Sequence, residues 1–296
     1  QHQHDVGLRW IGETILQADM RGVAVFYDLG GTKILRAYGT LPHPNILAAY
    51  LMVALWLLAW LWVRHGKSAW SSLVLWQSAL GVLLVGQYLT FSRTIIAVEA
   101  FSWLIVAGIL WWPRISARWP SLMETRRRLR SVIVTVALVT VGFMALAWPL
   151  VVARMTISTS DEAVRLRVQY NREALSSGHS SVLRVNWFGV GIGNFTSWLA
   201  EYDPTLPTFL VQPAHNIYLM IYSELGLVGL AIWLFFLAMI LRILWYTRQD
   251  QPLMRAGLGI LVLAMCTIGL LDHFYWTLQQ GRILWWATLA LAAGRA

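Results

Sequence analysis

The 296-residue sequence holds one cysteine, Cys266, and only two lysines, Lys33 and Lys67. A lone cysteine in an apolar run excludes a disulfide framework and any cysteine-rich metal centre. Charge is scarce: 12% of residues are charged, where a soluble domain has about 25%. Hydrophobic residues reach 58%, and mean hydropathy is +0.58. These proportions exclude a soluble globular protein and a disordered chain. The sequence shows no internal repeat of fixed period and no low-complexity segment beyond its apolar bias. No His, Asp or Glu cluster has zinc spacing, and no serine sits in a nucleophile elbow.

What the sequence has is tryptophan, arginine and long apolar runs. Its 18 Trp are of the kind that gather at membrane interfaces. The formal charge is +9. In a soluble protein that charge would suggest nucleic acid. Among apolar runs it reads as basic residues that orient membrane helices, so no nucleic-acid partner is expected. About 20 apolar residues cross a bilayer, and roughly seven segments qualify: 44–63, 69–89, 94–112, 131–152, 215–245 with a break, 256–271 and 283–293. The expected fold is an all-α, polytopic transmembrane helix bundle.

Arginines and lysines in alternate links set the orientation. Arg64 and Lys67 fall between the first two spans. Arg114, Arg118, Arg126, Arg127, Arg128 and Arg130 lie between the third and fourth. Arg242, Arg248 and Arg255 flank the next such link, and Arg295 follows the last span. One assignment makes all of these cytoplasmic. Residues 1–43 then form an extracytoplasmic N-terminal segment. Residues 44–296 form a transmembrane domain with one large extracytoplasmic loop, 153–214. That loop far exceeds the roughly 2–8 residues usual between helices, and its aromatic content predicts order. The N-terminal segment would cross the membrane with no signal peptide pattern before it. Further helices are therefore expected upstream.

The same assignment gathers polar residues on the outer side. Arg93 stands at the outer end of the third span. Snorkelling explains it by position alone, whereas a planar fork of donors also suits phosphate. In the long loop, Arg165 and Arg172 would share a helical face, with Arg167 turned elsewhere. An Asp161–Arg165 pair on a solvated helix accounts for them without function. His215 and Asn216 open the fifth span. A helix start explains the Asn. A histidine near the membrane suits proton transfer, because its ordinary pKa is about 6.5. His43 precedes Pro44 at the start of the first span, a normal helix-start arrangement that also allows His43 to line a site. Asp272 and His273 end the sixth span, and interfacial aromatics explain the run that follows. Glu99 and Glu224 fall inside spans and need partners there. The Gly189-Val190-Gly191-Ile192-Gly193 run lacks the strand–turn–helix context of a dinucleotide fingerprint and reads as a tight turn. One polar face beneath one large loop suits an anionic, lipid-linked substrate at the outer leaflet. A transporter would place its polar groups nearer the midplane.

Several short motifs occur in order. They are Tyr38-Gly39-Thr40-Leu41-Pro42-His43-Pro44-Asn45, Ser92-Arg93, Arg165-Leu166, the glycine run with Asn194-Phe195, and His215-Asn216 followed by Glu224-Leu225-Gly226. In this set the chain resembles the O-antigen ligase and O-antigen polymerase superfamily of bacterial membrane glycosyltransferases, from Arg36 to about residue 293.

The resemblance implies a multi-pass enzyme of the bacterial cytoplasmic (inner) membrane in lipopolysaccharide or other cell-envelope polysaccharide biosynthesis. It implies a polyprenyl-diphosphate-linked glycan donor, of the undecaprenyl diphosphate kind, and a glycan or lipid A core acceptor at the extracytoplasmic face. No metal, cofactor or nucleotide sugar is expected at the site. By position, Arg93 and Arg165 correspond to the arginines that hold the diphosphate, with Arg167 the alternative if the loop alignment shifts by two. His215 corresponds to the helix-start histidine, as base or as positioning group, with Asn216 and His43 beside the substrate. Two departures stand out: fewer membrane helices than the family carries, and Tyr170 where a Trp is expected. The alternatives are an O-antigen or exopolysaccharide polymerase, a protein O-oligosaccharyltransferase, or a lipid-linked glycan flippase.

Overall fold

A computed structural model describes residues 10, 12–13, 15–20, 22–65, 70–111, 123–156, 162–177, 185–246 and 252–294. Lys67, Arg114, Arg118, Asp161, Arg248 and Arg295 lie outside the described residues. The chain divides into two compact units, Gln1–Ile157 and Ser158–Ala296.

The first unit opens with a hairpin of strands β1 (Val25–Tyr27) and β2 (Lys33–Leu35), paired antiparallel with Phe26 opposite Ile34. Asp28 shapes the turn: its Oδ1 accepts hydrogen bonds from the N–H groups of Gly30 and Thr32. Phe26 and Leu35 are buried, and the register puts them on opposite faces of the hairpin. The hairpin was not expected in an all-α chain. Its Gly-Gly turn is a local signal that hydropathy does not register.

Helices α1 (Pro44–His65), α2 (Trp70–Leu89) and α3 (Arg93–Trp111) follow. Then come α4 (Met123–Leu146) and the short α5 (Trp148–Met155). The fourth span corrects the expected 131–152. It begins earlier, with Arg126–Arg130 inside its first turns, and stops before Pro149. A proline lacks the N–H and crowds the preceding turn, so a new helix starts at Trp148. The early start has a use. Arg126 Nη2 donates to the Leu110 carbonyl and Arg128 Nη1 to the Val63 carbonyl. Each satisfies a carbonyl in the last turn of a neighbouring helix, where a cation also suits the dipole.

In the second unit are α6 (Glu162–Ser176), α7 (Phe195–Tyr202), α8 (Ile217–Tyr246), α9 (Pro252–Gly269), α10 (Phe274–Thr277) and α11 (Gln279–Ala293). Among the described residues, five helical segments are long and apolar enough to cross a membrane. They are Pro44–His65, Ser71–Leu89, Arg93–Trp111, Thr125–Leu146 and Ile217–Leu244, and Arg255–Gly269 is a shorter apolar helix. The seventh expected span corresponds to the 15-residue α11. The protein is a polytopic helical membrane protein. In each unit the arginine-bearing helix ends (Arg64 with Arg126–Arg130; Arg242 with Arg255) lie opposite the ends that carry the candidate residues.

The break expected in the fifth span falls at Gly226, with φ 69 and ψ −170. A break in a membrane helix frees backbone groups that water does not reach. Here a loop from the same unit takes them. Asn186 Nδ2 donates to the carbonyls of Tyr222 and Ser223. Val190 N–H donates to Ser223 and Gly191 N–H to Glu224. On the far side of the break, Leu227 N–H donates to the Asn186 carbonyl and Val228 N–H to that of Trp187. The first glycine of the run at 189–193, Gly189, therefore serves close backbone approach to α8, a role beyond the expected tight turn.

Candidate functional site

In the first unit, Arg36 is buried and acts as a pin. Its Nε donates to the Thr90 carbonyl at 2.7 Å and its Nη2 to Asn45 Oδ1 at 2.6 Å, where Ser92 Oγ also donates. This ties the start of α1 to the α2–α3 turn. His43 Nδ1 accepts from the Asn45 N–H at 3.1 Å, so the side chain caps α1. Arg93 opens α3, half-buried, and its Nη1 donates to the Arg154 carbonyl at 3.3 Å. Arg154 in turn donates from Nε to the Phe91 carbonyl and lies over the Phe26 ring. Buried Glu99 accepts from Gln87 and from Trp103 Nε1, which supplies the partners a carboxyl needs inside a span.

In the second unit the long loop folds onto the start of α8. Tyr170, Ala174, Phe195, Leu199, Ala214 and Met220 form a buried cluster, with Leu166 and Trp198 against it. Leu166, Tyr170 and Ala174 are spaced by four and give α6 one apolar stripe. That stripe sets the arginines. Arg167 precedes Tyr170 by three residues and shares its face, whereas Arg165 is turned away and exposed, as is Arg172.

His215 sits at the centre of the loop-facing end of α8. Its ring lies parallel to Tyr170 with centroids 6.4 Å apart, and His273 meets it edge-to-face at 4.9 Å. His273 Nδ1 is 2.5 Å from Thr277 Oγ1, and the His273 backbone N–H donates to Asp272 Oδ1. Asn216 caps α8: its Oδ1 accepts from the N–H groups of Tyr218 and Leu219. Buried Glu224 accepts from Trp276 Nε1 at 2.7 Å. The structure thus brings together His215, His273, Tyr170 and Arg167, with Arg167 acting on His273 through its charge. Sequence reasoning passed over His273, Asn186 and Arg36. His273 adjoins Asp272 beside an aromatic run, and interfacial placement explained both.

Burial lowers the His273 pKa, Arg167 pushes it the same way, and Asp272 opposes them. An unfolded His binds its proton near pH 6.5 and this folded one at lower pH. Over that interval the unfolded chain holds the extra proton. Stability is therefore full above about pH 6.5 and declines as pH falls toward the folded value. Arg167→Gln is expected to narrow this acid-sensitive window and Asp272→Asn to widen it. Thermal melts in detergent between about pH 5 and 7.5 check both.

Among the described residues, no group of three or more His, Cys, Asp or Glu could hold a metal ion. A neutral imidazole beside a second imidazole and a guanidinium can accept a proton and hold an anion. No curated protein matches the chain. The O-antigen ligase family profile matches residues 78–234, a stretch that contains Arg93, Arg165, Arg167, Tyr170, Asn186, His215 and the Gly226 break. That match spans more than half of the sequence, and the chain belongs to the O-antigen ligase family.

Proposed function

We propose that this membrane glycosyltransferase moves a glycan from a polyprenyl-diphosphate carrier to an acceptor hydroxyl of the lipid A core, at the extracytoplasmic face of the bacterial inner membrane. The family match over residues 78–234 carries the reaction class. The cluster around His215 supports the placement of the chemistry. The acceptor oxygen attacks the anomeric carbon and the bond to the diphosphate breaks. The hydroxyl proton passes to His215, and the leaving diphosphate takes up the negative charge. Inversion at the anomeric carbon follows from this single displacement.

Fixed cations outside bulk water stabilise such a leaving group. Arg167, on the Tyr170 face of α6, is the first choice in the second unit, with Arg165 the residue that family resemblance picks. Arg93 is proposed as a diphosphate ligand on that resemblance. Asn216 and His43 take capping positions, so we expect their substitution to act mainly through the helix starts. The charge distribution of the first unit supports the extracytoplasmic placement, because Arg64 and Arg126–Arg130 lie at the helix ends opposite those that carry His43 and Arg93.

The test is complementation. The complete gene is expressed in a bacterium that makes lipid-linked O-antigen but lacks its own ligase. Wild type is expected to restore a ladder of lipid A-linked glycan on a gel. His215→Ala, Arg167→Ala and Arg93→Ala are expected to lose it at equal membrane abundance. A ladder surviving all three rejects the site. Glycan joined to another repeat unit or to a protein would assign the acceptor to the polymerase or protein-transfer reading. Movement of lipid-linked glycan with no new covalent product would overturn the transferase reading in favour of a flippase.

A further inference from the structure

The loop that mends the break in α8 also carries apolar side chains that face outward. Phe188 is 79% exposed and Ile192 70%, with Trp187 45% exposed between Phe188 and the buried Asn186. These residues are not the tip of a solvated loop. The backbone on either side of them, at Asn186, Trp187, Val190 and Gly191, is hydrogen-bonded to residues 223, 224, 227 and 228, which lie within the candidate span Ile217–Leu244. Leu227 and Val228, beside them on α8, are exposed as well.

The length of the span fixes the depth. It holds 28 residues, whereas about 20 suffice to cross the hydrocarbon. At its other end, Arg242, Trp245 and Tyr246 have the composition of an interface. Counting back about 20 residues from Leu244 reaches the break at Gly226. The segment from Leu227 to Leu244 covers about 27 Å at 1.5 Å per residue, close to the hydrocarbon thickness. The turns from Ile217 to Leu225, and His215 with them, then stand above it.

We infer that Trp187, Phe188 and Ile192 form a wedge seated in the bilayer at the boundary between headgroups and acyl chains, level with the break in α8. The occupant of this surface is lipid, by depth and by side-chain chemistry. Aromatic residues favour that boundary, and Phe and Ile gain by leaving water there. The wedge holds the mouth of the His215 cluster at the membrane surface. The inference stands on the span and the loop, so it survives a failure of the proposed reaction.

Site-directed spin labelling in proteoliposomes tests it. In a Cys266→Ala background, single cysteines replace Phe188 and Ile192 in the full chain. Phe235, exposed within the span, serves as a hydrocarbon reference, and Glu201, exposed on α7, as a water reference. The ratio of collision with oxygen to collision with a water-soluble nickel chelate is expected to be several-fold higher at 188 and 192 than at 201, approaching that at 235. Ratios at 188 and 192 like that at 201 would overturn the inference. Shielding from both reagents would overturn it too, because it would place the residues against protein. Because both side chains point outward, the labels should not disturb folding. Equal elution of labelled and unlabelled protein in size-exclusion chromatography checks this.

Discussion

Gly226→Ala and Gly189→Ala are each expected to abolish the folded arrangement around His215. Gly226 occupies a backbone region that is essentially restricted to glycine, at φ 69 and ψ −170. A Cβ there would lie 2.2 Å from the Trp187 carbonyl carbon and oxygen and 2.3 Å from the Phe188 nitrogen. On the loop, a Cβ at Gly189 would lie 2.1 Å from the Glu224 carbonyl oxygen. The obstacles are backbone on both sides, so no side chain can swing aside. Relief requires the loop to separate from the helix. Separation exposes the carbonyls of Tyr222, Ser223 and Glu224 and the N–H groups of Leu227 and Val228 at the membrane boundary. Strain and overpacking each cost about 1–3 kcal/mol, and each orphaned polar group adds a similar amount. Two or three of these together approach the entire stability of an ordinary domain, about 5–15 kcal/mol. Gly259→Ala, on α9 with open space around its Cβ, is the control and should be neutral or slightly stabilising. Thermal denaturation in detergent followed by size-exclusion chromatography distinguishes them. Native-like melting of Gly226→Ala would show that the loop and helix do not pair as described.

His215→Ala is expected to lower the transfer rate by about 10²- to 10⁴-fold, the usual contribution of a general base. Tyr170 lies parallel to His215 and His273 meets it edge-to-face, so the imidazole is held in one orientation. His273 has its pKa lowered by burial and by Arg167, which keeps it neutral near pH 7. Two adjacent imidazolium ions would repel, so a neutral His273 leaves His215 free to take the proton. His215→Gln preserves polarity and approximate size without basicity. If His215 is the base, Gln behaves as Ala does, and the acid limb of the rate–pH profile disappears in both. If His215 only positions the acceptor, Gln restores much of the rate and the acid limb persists. The measurement is single-turnover transfer with purified protein and lipid-linked donor.

Local sequence made much of this legible. Length and hydropathy located the membrane helices, because about 20 apolar residues have few alternative structures. The Pro and Asn residues at helix starts marked α1 and α8, since caps and first-turn prolines act within a few residues. The break in α8 was visible as a span too long for one crossing. The Pro149 stop was missed because apolar residues continue past it and hydropathy is blind to a missing N–H. The hairpin was missed because three-residue strands make little hydrophobic pattern.

The site divides along the same line. The types of residue, and the helix ends they sit on, were fixed by sequence. Which of them meet was not. Arg165 and Arg167 are indistinguishable by composition, and only the packing of Leu166, Tyr170 and Ala174 against α8 turns Arg167 to the Tyr170 face and leaves Arg165 exposed. His273 is 58 positions beyond His215, and nothing local announces their contact. Asn186 and the glycines after it acquire meaning only beside a helix whose backbone bonds are broken. Hydropathy and capping act over one or two turns of chain, so sequence alone settles them. Ring contacts, backbone mending and the facing of a charge depend on how distant segments pack, so only the tertiary structure decides them.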